Sequence, residues 1–133
     1  MSREYEFYVT VRGYELDSFG HMNNAVYVNY IEQAQWEILR KTDTFDYFQE
    51  HRLIPAIIET NIRYIREAKV FDELVVRTRT LLEPPYVVCK HVISNTKTGL
   101  VSCKATVKQL YLTHERVPCD LPREVLEKWG VAT

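Results

Sequence analysis

Apolar and polar residues alternate from Tyr5 to Arg12. Tyr5, Phe7, Val9 and Val11 stand against Glu6, Tyr8, Thr10 and Arg12, which predicts a half-buried strand. Gly13 ends the clean alternation, and a polar, turn-rich stretch runs from Tyr14 to Asn24. The period then changes. Between residues 25 and 41, Tyr27, Tyr30, Ile31, Ala34 and Ile38 recur at helical spacing, with Asn23 or Asn24 suited to cap the helix start. Val26, Val28, Trp36 and Leu39 widen the apolar surface beyond one stripe, so this helix wants cover on several sides. A short helix over 44–51 follows, with Thr42 or Asp43 as its cap. Strands are predicted over 57–67, 73–82, 86–95 and 100–113, and a short helix over 122–128 with Pro at its first turn. In the strand over 57–67, Ile58, Ile62 and Tyr64 alternate with Glu59, Asn61 and Arg63. Glu83-Pro84-Pro85-Tyr86 separates two of the strands, because Pro cannot donate to a sheet ladder. Thr96-Lys97-Thr98-Gly99 suits a hairpin loop with its Gly at positive φ.

A strand, one long buried helix and then a block of antiparallel strands is an α+β order. The economical packing wraps the sheet around the helix and leaves the outer face of the sheet wet. At 133 residues a single domain over 1–133 is expected, too short for a cleft between two domains. The chain carries 17 basic and 18 acidic residues, a balance that does not suggest a nucleic-acid surface. No apolar run approaches the length of a membrane span, so no membrane partner is expected. The start, Met-Ser-Arg-Glu-Tyr-Glu, has no apolar signal region, which predicts a cytoplasmic protein. Cys89, Cys103 and Cys119 form no C-x-x-C pair and read as reduced thiols, used as small buried hydrophobes. His51, His91 and His114 are scattered with no ligand spacing, and no metal or redox cofactor is expected.

Candidate chemistry concentrates in Glu15, Asp17, His21, Asn23 and Asn24, between the first strand and the helix start. The first amides of a helix lack intrahelical partners and carry a partial positive charge, so they can polarise a carbonyl. Asp17 lies seven residues before Asn24, close enough for a loop to bring its carboxylate back to that end. A carboxylate facing free amides is a workable acyl-transfer site. Spacing alone favours the simpler role, in which Asp17 and the asparagines merely cap the helix. His21 is either a general acid for a leaving group or a hydrogen-bonding loop residue. Glu59 is a candidate second carboxylate or a solvated strand residue. Lys90, Lys104 and Lys108 are candidate phosphate contacts or ordinary solvated positions that discourage edge aggregation.

The run from Tyr14 to Ala34 resembles the signature of the 4-hydroxybenzoyl-CoA thioesterase family, approximately D-x-D-x-x-G-H-x-N-N-x-x-Y-x-x-Y-x-E-x-A. Weaker similarity continues through Tyr64–Leu74, Gly99–Val101 and Arg116–Pro122, so it covers nearly the whole chain. The resemblance implies the hot-dog fold, a helix wrapped by an antiparallel sheet. It implies hydrolysis of an acyl thioester on coenzyme A or acyl carrier protein, a small-molecule partner, with no cofactor. By the family pattern Asp17 matches the catalytic carboxylate, as nucleophile or base. The amide near Asn24 matches the group that polarises the thioester carbonyl. Phe19, Tyr27 and Glu59 are the candidate substrate contacts, and His21 a third catalytic candidate. Glu15 stands where many members have Asp, Phe19 where the plant acyl-carrier-protein branch has Asn, and Glu67 and Phe71 replace the usual Pro and Gly. The rival reading is a non-catalytic hot-dog module that binds an acyl group or only assembles. The dehydratase branch is disfavoured, since no H-x-F-P run occurs. Family members pair, with their sites between subunits, and a long strand left at a sheet edge is a hazard unless paired. A homodimer, or a homotetramer of two dimers, is therefore expected.

Overall fold

A computed structural model describes residues 2–131. The elements are β1 (Glu4–Thr10), α1 (Asn24–Lys41), α2 (Phe45–Glu50), β2 (Ile54–Tyr64), β3 (Glu73–Glu83), β4 (Tyr86–Asn95), β5 (Val101–Leu112) and α3 (Arg123–Trp129). The five strands form one antiparallel sheet in the order β1-β3-β4-β5-β2. This is the expected hot-dog arrangement, α+β, with α1 against one face. Gly99 has φ +74 in the β4–β5 loop, where an L residue would be strained.

The inner face of the sheet follows from the register. Phe7 pairs with Val76, Val76 with Ile93, and Ile93 with Cys103. Against them α1 lays its stripe of Val26, Tyr27, Tyr30, Ile31 and Ala34. A second cluster joins Ile38 and Phe48 to Tyr111, Val125 and Trp129. There the indole of Trp129 donates to Thr44 Oγ1 at 2.9 Å and ties α3 to the start of α2. Cys89 and Cys103 are buried, as expected of small apolar fillers, and burial pushes each thiol up to about 11.

Three expectations need correction. Cover for α1 comes from one side only. The helix rests nearest β1 and β3, while Trp36 on its other flank stays 49% exposed. The strand expected over 57–67 runs instead over Ile54–Tyr64. It begins early because Pro55 sits on an edge strand, where a missing N–H costs little. It ends early because Ile65 N and Arg66 N both donate to Ser102 O, at 2.8 and 3.1 Å, and turn the chain away. Finally, the register slips between Ile57 and Glu59. The bulge puts Ile57, Thr60, Ile62 and Tyr64 on the inner face in place of an unbroken alternation through Ile58.

Candidate active site

The stretch before α1 is built from its own hydrogen bonds. A 3-10 turn over Gly13–Glu15 delivers the Glu15 side chain into the interior, where it is buried. Its carboxylate accepts from Arg12 N at 2.9 Å, from the Arg12 guanidinium at 3.1 Å and from the Tyr30 hydroxyl at 2.7 Å. Burial alone would raise the Glu15 pKa. The hydrogen bonds from Arg12 and Tyr30 outweigh it and hold the group below its usual range. Burial, together with the hydrogen bond to Glu15, in turn raises the Tyr30 hydroxyl well above its ordinary value. Glu15 O also accepts from Asn23 N at 2.8 Å, so the start and end of the loop are fastened to each other.

Between those ends the chain doubles back. Leu16 bridges Met22, Asp17 N donates to His21 O at 2.8 Å, and Gly20 takes φ +84 at the tip. Met22 N donates to Ala68 O at 2.8 Å, which docks the loop on the segment after β2. One oxygen of Asp17, Oδ1, accepts from Phe19 N at 2.8 Å and His21 N at 3.2 Å. Its Oδ2 has no partner among the described residues. Asp17 therefore does not cap α1 but braces its own loop. The cap of α1 is Asn23, whose Oδ1 accepts from Ala25 N at 2.9 Å, and whose carbonyl accepts from Val26 N. The amide of Asn24, the first helical residue, has no partner among the described residues and lies at the positive end of an 18-residue helix.

The loop therefore carries a half-free carboxylate and an imidazole and ends on a free helix amide. His21 Nε2 lies 2.7 Å from Glu67 Oε2, with both side chains partly exposed. The sequence marks Glu67 only as a departure from the family's usual Pro. Its pairing with His21 spans 46 positions, and no spacing rule reaches that far. Other candidates fall elsewhere. Phe19 is 83% exposed at the loop tip. Tyr27 is a core residue, edge-on to Tyr64 at 5.3 Å between ring centroids. Glu59 stands opposite Lys108 on the outer face of the sheet, away from α1, on the same face as Asn61 and Arg63. Among the described residues no group of three or more His, Cys, Asp or Glu is arranged to hold a metal ion, and no helix is long and apolar enough to cross a membrane.

A cavity of about 920 Å³ opens on the flank of α1 that the sheet leaves uncovered. Its walls are mainly apolar and include Trp36, Phe45, Phe48, Leu53 and Ile57. It runs from Val28 toward the C-terminal half of α1 and does not include Asp17, His21 or Asn24. Within one chain, then, the polar loop and the large cavity are separate.

Comparison with known proteins agrees with this architecture. The Escherichia coli long-chain acyl-CoA thioesterase FadM is 35% identical over 71 residues, 53% of this chain and 54% of FadM. The chloroplastic acyl-acyl carrier protein thioesterase ATL3 of Arabidopsis thaliana is 35% identical over 80 residues, 59% of this chain and 42% of ATL3. The matched stretches span about half of these two relatives. Among solved structures, the probable thioesterase YbaW of Escherichia coli superposes with a TM-score of 0.83 at 28% identity, covering 92% of this chain and 94% of that one. Slr0204, a 1,4-dihydroxy-2-naphthoyl-CoA thioesterase from Synechocystis, reaches 0.85 at 14% identity, covering 95% of each chain, a likeness of fold alone. Residues 11–129, which take in the Asp17 loop, the whole of α1 and all but the first strand of the sheet, match the family model, and the chain belongs to the thioesterase-like superfamily.

Proposed function

We propose that the protein hydrolyses an acyl thioester, carried by coenzyme A or acyl carrier protein, with Asp17 as nucleophile or general base. The observation that carries this reading is that Asp17 Oδ2 and the Asn24 amide, the first of α1, are both without a partner among the described residues and belong to one loop fastened to the helix start. A thioester has a good leaving group, so a carboxylate and one oxyanion donor at a helix start suffice in kind. His21, oriented by Glu67, supplies the proton for the departing thiolate. The names of the relatives support the reaction class; the long-chain acyl-CoA and acyl-carrier forms in those names are the two carriers to test.

The proposed active unit is a homodimer. β2 is an edge strand, and Ile57 and Ile58 on it are 54% and 50% exposed beside the bare flank of α1. An unpaired edge with two exposed isoleucines next to an uncovered helix calls for a partner. Pairing β2 with its copy about a two-fold axis near mid-strand sets the copy's Tyr64 end against the Ile54 end of this chain. Tyr64 donates to Asn24 O at 3.0 Å, so the Tyr64 end carries the Asp17 loop with it. Ile54 and Pro55 line the cavity. The dimer thus brings one protomer's catalytic loop to the other's cavity, which would take the acyl chain, its volume lying within the range of ordinary ligand pockets.

Two measurements test this. Thiol release from a panel of acyl-CoA and acyl-carrier thioesters should show turnover of at least one acyl class. Binding without cleavage of any member would favour the non-catalytic acyl-binding reading instead. Light scattering at micromolar concentration should give twice the chain mass, and an active monomer would refute the shared site.

A further inference from the structure

The sheet side of the large cavity is polar although its walls are mainly apolar, with Glu32, Arg52, His114 and Arg116 as the charged or titratable groups among them. Thr80, Cys89 and Gln109, on β3, β4 and β5, all line it and are each at least nine-tenths buried. Register brings them together on the inner face, since Thr80 pairs with Cys89 and Val87 with Gln109. Gln109 Nε2 donates to Cys89 Sγ at 3.3 Å, and Thr80 Oγ1 lies 3.7 Å from the same sulfur. The carbonyl oxygen of Gln109 has no partner among the described residues. The buried side-chain polar atom left without a partner among them is His91 Nε2, so the Gln109 oxygen is not sealed off and opens on the cavity. Sulfur is a weak acceptor, so the amide hydrogens of Gln109 are also poorly used. Polar groups held in an apolar pocket discriminate sharply between ligands that satisfy them and ligands that do not.

We infer that the cavity selects acyl chains bearing a neutral oxygen, a hydroxyl or keto group, that hydrogen-bonds to the Thr80–Cys89–Gln109 floor. The trio offers donors and an acceptor but no charge, which suits a neutral oxygen and not a carboxylate. This assignment rests on the cavity being the acyl site of the proposed thioesterase.

The test compares a saturated fatty acid with its positional hydroxy and oxo isomers of equal length, as free acids for calorimetric binding and as CoA thioesters for turnover. In the wild type one oxygenated position should bind, and be cleaved, about 10-fold better than the parent chain. Gln109→Met and Thr80→Val, both close in volume to the native residues, should erase that preference while keeping the parent chain bound. Binding preference without turnover would keep this inference and sink the thioesterase reading. Turnover with no preference at any position would overturn this inference alone. A preference that survives both substitutions would also overturn it.

Discussion

Asp17→Asn is expected to lower thioester turnover by roughly 100-fold or more while leaving the fold and its thermal midpoint unchanged. The choice of Asn is what makes the result decisive. Oδ1 of Asp17 holds the loop by accepting from Phe19 N and His21 N, and an Asn side chain keeps that acceptor. What Asn removes is the negative charge and the free Oδ2, the atom that would attack the thioester or take a proton from water. Asp17→Ala would confound the two roles by releasing the turn as well. If Asp17→Asn retains activity within about threefold, Asp17 is a loop cap and the nucleophile or base lies elsewhere. Steady-state kinetics on the best acyl substrate, with circular dichroism on the same samples, provide both readouts.

Acid should cost the protein about 3 kcal/mol of stability between pH 7 and pH 4 through one residue, His91. His91 lies on β4 under α1 and is 1% exposed. Its Nδ1 shares a hydrogen with Thr78 Oγ1 at 2.8 Å, and its Nε2 has no partner among the described residues. Burial disfavours the imidazolium and lowers the pKa from 6.5 to about 4. The unfolded chain therefore takes up a proton below about pH 6.5 that the folded chain refuses until about pH 4. Stability falls as pH drops through that window and levels off below it. Glu15 acts in a different range: its carboxylate is held below the usual 4.5, so its contribution is lost only as pH falls further. Urea unfolding at pH 7, 6 and 5 should show the wild type losing stability faster than His91→Leu. Parallel losses in the two proteins would refute the assignment.

How much of this was legible in the sequence depends on how local the cause was. β4 runs over Tyr86–Asn95 as expected, because Pro-Pro and a Gly-containing loop bound it in the sequence itself. α1 likewise follows from its period and its Asn cap. The bulge at Ile57–Glu59 was not legible: adjacent Ile57 and Ile58 are both apolar, so the pattern does not say which of them faces inward, and the slip puts Ile57 there in place of Ile58. The same distance problem hid the His21–Glu67 pair and the Thr80–Cys89–Gln109 floor, which exist only once several segments are in register. His91 had no ligand spacing to mark it, and only its burial against Thr78 makes it matter. For Asp17 the sequence left helix capping and catalysis open; Asn23 takes the cap of α1, Oδ1 of Asp17 holds its own loop, and Oδ2 has no partner among the described residues.

The two margins of the sheet are unlike. At the β1 margin, Glu4 and Glu6 pair with Arg77 and Arg79, and the carbonyl of Glu6 is taken by the ammonium of Lys41. At the β2 margin Ile57 and Ile58 are exposed ahead of Glu59, Thr60, Asn61 and Arg63, and the outer edge of the strand pairs with no other strand among the described residues. Charge and a blocked carbonyl discourage strand addition. A growing fibre needs two compatible margins, one to give and one to receive. Here only one margin is receptive, so sheet-to-sheet joining through β2 consumes it in both copies and terminates. The asymmetry limits joining edge to edge: concentrating the protein should fill the pairing through β2 without extending the sheet into a fibre.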